Sequence, residues 1–321
     1  MQETYSLYNY YFDQYLPGDD HYFWIKCMPL KPNEERPYLY ASKVVTGNPN
    51  LPNKQYDYSL DLQTWNTLPY RERVYFEDVI YLRNHYTSNA LPTNTYNATP
   101  ITFKVSKLYS IGGNMDLLVF KNDVPLSEAN LPNTNIYYER DPSGPSETWG
   151  PFAQLFRSDA NLVSAKCVKF HEGTVMKRGM FAYTFAECTN LRNCFKLPPG
   201  DLSEGSCVWM FYHCYKLKEI PQLPEHVYST TVTDVYGDRL NPCSAIAWMF
   251  GDCRSFEFSS TKKDESFKEY IFPSVTGYWD SQWDSEPILW WNLQISSSSD
   301  YSPNLRGTTP IIGYTNAKIH K

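Results

Sequence analysis

A chain of 321 residues, 42% hydrophobic and 17% aromatic, is long enough for two domains that each bury a core. Its formal charge of −6 comes with no basic run longer than isolated pairs such as Lys177-Arg178 and Lys262-Lys263, which argues against a nucleic-acid partner. No stretch approaches 18 consecutive apolar residues, so no membrane insertion is expected; MQETYSLYNYYFDQYLPGDD also lacks the basic and apolar regions of a secretory signal, so the chain is expected to be made in a cytoplasm and not to leave by the usual secretory route.

Residues 1–25 form a Tyr-rich N-terminal arm, TYSLYNYYFDQYLPG, without a clear period. Such a segment does not fold alone, and it is expected to pack on its own domain, a sister subunit or a larger assembly. Residues 26–125 read as β. The runs HYFWIKCMPL, PYLYASKVV, QYDYSLDLQTW, RERVYFEDVIYLRNHY and ITFKVSKLYSI are rich in Tyr, Val, Ile and Phe, with partial alternation, and turn-forming stretches separate them. This spacing predicts an antiparallel β-sandwich with one wet face. Gly112-Gly113 reads as a turn within it. Residues 126–151 carry the signals of a long polar connection.

Over residues 152–260 the period changes. Phe156, Phe185, Phe211 and Phe250 anchor four similar octets, LFRSDANL, TFAECTNL, MFYHCYKL and MFGDCRSF, at spacings of 29, 26 and 39 residues. The first two intervals lie in the leucine-rich-repeat range, and the third is one repeat carrying an insertion. Six residues beyond each anchor stands Leu162, Leu191, Leu217 or Phe256; three beyond stands Asp159, Cys188, Cys214 or Cys253. A thiol recurring at one turn of a solenoid is expected to be buried and to bond a neighbouring backbone group, because it is a weak donor and among the most buried residue types. The fold class is therefore mainly β: an N-terminal antiparallel β-sandwich followed by a short, irregular leucine-rich-repeat solenoid. Residues 261–321 form a C-terminal cap or extension.

Candidate chemistry is thin. Cys207, His213 and Cys214 lack the C-x2–4-C pairs of a zinc site, so no metal or other cofactor is expected. Of eight Cys, seven lie between Cys167 and Cys253; reduced thiols are expected, with Cys188 and Cys194 the pair to check for a disulfide. Asp19, Asp20, Glu34, Glu35, Asp280, Asp284 and Glu286 lie in polar segments where solvated carboxylates are normal, and the chain has no G-x-S-x-G, H-E-x-x-H or phosphate-cradling glycine loop, so no enzyme is expected. Trp279, Trp283, Trp290 and Trp291 in GYWDSQWDSEPILWW are candidates for stacking on glycan rings, or for capping the last repeat or filling an oligomer interface.

The repeat unit, as in MFYHCYKLKEIPQLP and TFAECTNLRNCFKLPPG, resembles the leucine-rich repeat of BspA-like proteins: an aromatic step, a residue pair, Cys, two small or polar residues, Leu, and a strand ending in Pro. The first octet departs from it at Asp159, and the last lacks its Pro-ended strand, as capping repeats do. The segment YDYSLDLQTWNTLPYRERVYF resembles a β module that stands before such repeats in structural proteins of Bacteroides-infecting crAss-like phages, and FPSVTGYWDSQW is more weakly similar to their ends. Together the resemblance covers about residues 40–290. It implies a virion structural protein, a capsid-attached head fibre or decoration protein that exposes its repeats for adhesion to a host surface protein or glycan. The implied partners are other capsid or tail proteins and further copies of the chain, as a dimer or trimer. A bacterial cell-surface adhesin and a tail fibre or glycan depolymerase are the alternatives.

Overall fold

The computed structural model describes residues 11–18, 21–43, 55–85, 101–118, 152–171, 174, 180–198, 207, 209–218, 249 and 253. Over these residues the chain is mainly β. The strands are β1 (Phe23–Cys27), β2 (Tyr38–Lys43), β3 (Tyr56–Ser59), β4 (Asn66–Thr67), β5 (Arg73–Tyr75), β6 (Val79–Asn84), β7 (Ile101–Val105), β8 (Tyr109–Asn114) and β9 (Leu162–Lys169). They form a six-stranded sheet, β4-β3-β6-β1-β8-β9, and a three-stranded sheet, β5-β2-β7. All pairings are antiparallel except β8 with β9, so the larger sheet is mixed rather than purely antiparallel.

The alternation of side chains builds the shared core. In β6, Ile80 and Leu82 are buried while Val79 and Tyr81 are half-covered, which is the period-2 pattern of a strand with one buried face. Tyr56 of β3 meets Phe103 of β7 edge-to-face at 5.1 Å, joining the two sheets.

β1 departs from the expectation of a wet face. All five of its residues are buried. Phe23, Ile25 and Cys27 belong to the apolar core, and Trp24 and Lys26 are buried on the opposite face, where the N-terminal arm covers Lys26. Phe12 of the arm is 1% exposed, the Tyr11 hydroxyl donates to the Cys27 carbonyl at 2.8 Å, and the Lys26 ammonium lies 4.2 Å from the centre of the Tyr11 ring. Asp13 accepts hydrogen bonds from Ser164 of β9 (2.6 Å) and from Asn193 (2.8 Å). Burial lowers the Lys26 pKa.

Gly112 and Gly113 are not a turn. They lie inside β8, paired with Trp24 and Phe23. The indole of Trp24 sits over Gly112 so closely that a Cβ there would be 2.2 Å from Cζ2 of Trp24 and 2.6 Å from Cβ of Cys167. Gly113 takes φ +76, just beyond the register shifts that β8 makes against β9 between Tyr109 and Gly112. Gly112 permits the close approach of an aromatic ring and Gly113 a left-handed backbone; neither reverses the chain.

Both sheets run on into the turns beyond residue 151. At the edge of the smaller sheet, Phe103 N–H donates to the Leu155 carbonyl at 2.7 Å and the Thr102 hydroxyl to the Gln154 carbonyl at 2.9 Å. At the edge of the larger sheet, β9 is extended in parallel by Asn193. Arg192 N–H donates to Val163 (2.8 Å), Ala165 N–H to Asn193 (3.0 Å), and Lys218 N–H to Arg192 (2.9 Å). Phe156 completes the join, 5.8 Å from Phe103 and 6.3 Å from Phe23 between ring centres.

Candidate functional site: the stacked turns

Each turn is shaped by two residues in the left-handed region, one two positions before the anchor Phe and one two positions after it. They are Gln154 and Ser158 around Phe156, Tyr183 and Glu187 around Phe185, and Trp209 and His213 around Phe211, all with φ between 55° and 65°. None is glycine, and a left-handed residue with a Cβ costs roughly 1 kcal/mol or more. That cost is offset by what the conformation allows, which is to aim alternate N–H groups at the next turn. Phe156, Ser158, Phe185, Glu187 and Phe211 donate to the carbonyls of Thr184, Ala186, Met210, Tyr212 and Met249, at 2.9, 2.7, 3.0, 2.6 and 2.8 Å.

In every case the acceptor is the residue just before the donor's counterpart one turn on. The anchor rings therefore superpose. Phe156 and Phe185 are 5.8 Å apart and 8° from parallel; Phe185 and Phe211 are 5.7 Å apart and 10° from parallel. All three are fully buried, as are Leu162, Leu191 and Leu217.

The thiol column runs the other way. Cys188, Cys214 and Cys253 donate from Sγ to the carbonyls of Phe156, Phe185 and Phe211, at 3.0, 3.1 and 3.2 Å. Each anchor carbonyl also accepts the N–H of its own turn's column residue, 3.2 Å from Asp159, 3.0 Å from Cys188 and 3.0 Å from Cys214. Both lone pairs of each buried carbonyl are thereby used. Burial pushes the Cys188 and Cys214 thiols well above their ordinary range, so neither is a nucleophile.

Asp159 holds the same column position in the first turn, yet it faces β7 and β8 instead of an anchor carbonyl. Its carboxylate accepts from Val105 N–H (3.0 Å), the Tyr109 hydroxyl (3.0 Å) and Asn161 N–H (2.9 Å). Burial raises its pKa against these stabilising bonds. The departure from Cys at this position is therefore an adaptation to the neighbour. Where the next layer offers a carbonyl the column supplies a donor, and where it offers an N–H and a hydroxyl the column supplies an acceptor. The first turn is consequently an inner layer, with the sheets covering the side that a capping repeat would close.

The outer face of the turns is ordered too. Tyr183 stacks on Trp209 at 5.5 Å, His213 on Tyr212 at 3.7 Å, and Glu187 joins Ser158 (2.7 Å) and Arg157 (3.4 Å). Burial opposes ionisation of Glu187, but the Ser158 bond and the Arg157 charge prevail and lower its pKa.

Cys207, His213 and Cys214 do not converge on a metal site. Both cysteines are buried, and His213 lies against Tyr212. Among the described residues no group of three or more His, Cys, Asp or Glu side chains is placed to hold a metal ion. Cys188 and Cys194 are not bonded to each other, and the seven described cysteines are all free thiols. Glu34 is engaged by Lys31 N–H at 3.0 Å and by Lys107 at 2.9 Å. Asp57 binds His85 Nδ1 at 2.7 Å and Arg83 Nε at 3.5 Å; the Thr67 hydroxyl lies 3.5 Å from the same Nδ1, so the group ties β3, β4 and β6 together. Phe250, Phe256, Trp279, Trp283, Trp290 and Trp291 lie outside the described residues, as do Asp19, Asp20, Asp280, Asp284 and Glu286.

Sequence reasoning missed the left-handed pairs and the role of Asp159. The only signal for the latter was its mismatch with the cysteine column. Among the described residues no helix is long and apolar enough to cross a membrane. Comparison with protein-family models, with curated proteins and with solved structures gives no match to this chain.

Proposed function

We propose that the chain is a structural adhesion protein of a phage particle, a capsid-attached head fibre or decoration protein. In this reading the β module docks it and a BspA-like leucine-rich-repeat solenoid carries the binding face outward. The observation that supports it is the unbroken ladder from Phe103 through Phe156 and Phe185 to Phe211, which makes the turns a rigid extension of the sheets. A stack of this kind offers a wide, shallow surface suited to adhesion, and many copies on one particle multiply weak contacts into avidity. A host surface glycan or protein is the target, the other partners are neighbouring virion proteins and sister copies, and the site of action is the virion.

The column thiols fit this setting. They act as donors only while reduced, which suits a chain that folds in a host cytoplasm. The same ladder suits a bacterial cell-surface adhesin, which is the second reading.

Quantitative mass spectrometry of gradient-purified particles from an infected Bacteroides culture separates the two. A fixed, high copy number relative to the major capsid protein is the expected result. Absence from particles, with recovery from the envelopes of uninfected cells, assigns the chain to the bacterium.

A further inference from the structure

Trp24 and Lys26 alternate with the core residues of β1, so both stand on the outer face of the larger sheet. Register sets their neighbours. Lys26 stands opposite Ser110 of β8, which is beside Ser164 of β9; Trp24 stands opposite Gly112, which is beside Cys167. Opposed residues share a face, so Trp24, Lys26 and Ser110 form one patch, with the Cβ atoms of Lys26 and Ser110 about 5 Å apart. The Trp24 indole crosses toward β8. Its Cε2, the carbon that bears Nε1, lies 2.7 Å from the place a Gly112 Cβ would take, so the indole N–H lies over the strand that carries Ser110. The Lys26 ammonium is 6.0 Å from the centre of the Trp24 ring.

Trp24 and Ser110 are wholly buried, and the indole Nε1 and the Ser110 Oγ have no hydrogen-bond partner. Lys26 is 5% exposed. Among the described residues its ammonium meets the rings of Tyr11 and Trp24, and neither a hydrogen-bond acceptor nor a paired carboxylate. The Asp13 carboxylate is already engaged, by Ser164, Asn193 and Lys166. An indole N–H and an ammonium only donate, and a hydroxyl donates as well as accepts. The patch therefore gathers a positive charge and two neutral donors without an acceptor for any of them, a costly arrangement for buried groups.

We propose that this face of β1 and β8 is a binding site for a small monovalent anion, a halide, held by the Trp24 indole N–H, the Ser110 hydroxyl and the Lys26 ammonium beneath the Tyr11 ring. A neutral molecule would satisfy the indole and the hydroxyl but leave the ammonium unpaired. With Trp24 and Ser110 sealed and Lys26 nearly so, the seat suits a monatomic ion better than a phosphate or a carboxylate. Burial works against the Lys26 charge, and the anion restores it where the arm crosses the sheet, which strengthens the contact with Tyr11.

Chloride titration of the full chain, starting from protein exchanged into sodium gluconate and held at constant ionic strength, tests this. The signal is the Trp24 indole resonance in ¹H–¹⁵N spectra, assigned by its loss in Trp24→Phe. A saturable shift is expected with chloride and with bromide. Ser110→Ala removes one donor and is expected to weaken the chloride affinity about tenfold, while Lys26→Met abolishes the response. A resonance that does not move, or that moves without saturating, overturns the proposal, and so does an unchanged affinity in Ser110→Ala. Crystals of the unsubstituted protein grown in bromide give a readout independent of any variant. Anomalous density within hydrogen-bond reach of Trp24 Nε1, Ser110 Oγ and Lys26 Nζ supports the site, and bromide found only elsewhere refutes it.

Discussion

The two-sheet body and the turn stack bury similar side chains and satisfy their backbones differently. In the sheets, period-2 alternation sorts side chains between faces and the strand ladders consume the N–H and C=O groups. Among its described residues the stack has too few regular strands for that. There the backbone groups are met by left-handed residues that aim N–H groups forward and by thiols that donate back. Chemical identity at one side-chain position, Asp159 against Cys188, therefore matters more in the stack than identity at most single sheet positions. The difference teaches that a repeat column adapts to whichever group the neighbouring layer presents.

Swapping the two column chemistries breaks this comparison most severely. Cys188→Asp puts a carboxylate against the Phe156 carbonyl with no donor to compensate, and is expected to cost on the order of 5 kcal/mol by chemical denaturation. Phe156→Ala removes the ring shared by Phe23, Phe103 and Phe185. It is expected to cost roughly 3–5 kcal/mol, and a near-neutral result would show that sheets and turns do not share a core.

Asp159→Cys makes the first turn resemble the others, yet it is expected to destabilise by about 2–3 kcal/mol. The thiol leaves Val105 N–H and the Tyr109 hydroxyl without their acceptor. Equal or greater stability in this variant would mean that the neighbour does not dictate the column. The smallest effect is expected for Ser158→Gly, a gain of less than about 1 kcal/mol in thermal unfolding. Relief of the left-handed backbone there slightly exceeds the lost exposed bond to Glu187 and the added freedom of the unfolded chain.

What the sequence reveals follows the range of the interactions. Phe156, Phe185 and Phe211 recur at 29 and 26 residues, and the structure places them in register, because each turn contacts its neighbour through the same positions. The mainly β character was legible for the same reason, since strand alternation is local.

Three features were hidden because their causes lie far away along the chain. Asp159 answers Val105, 54 residues earlier. Gly112 answers the Trp24 ring. The buried outer face of β1 depends on an arm whose Tyr-rich run has no period to read. The parallel addition of β9 was equally illegible, because a strand's direction in a sheet leaves no mark on its own alternation.

The most direct measurement is timed alkylation of the native protein with peptide mapping. The thiol ladder predicts that Cys188, Cys214 and Cys253 stay unmodified until denaturant is added. Rapid native labelling of the three column cysteines would contradict the ladder and the continuous core built on it.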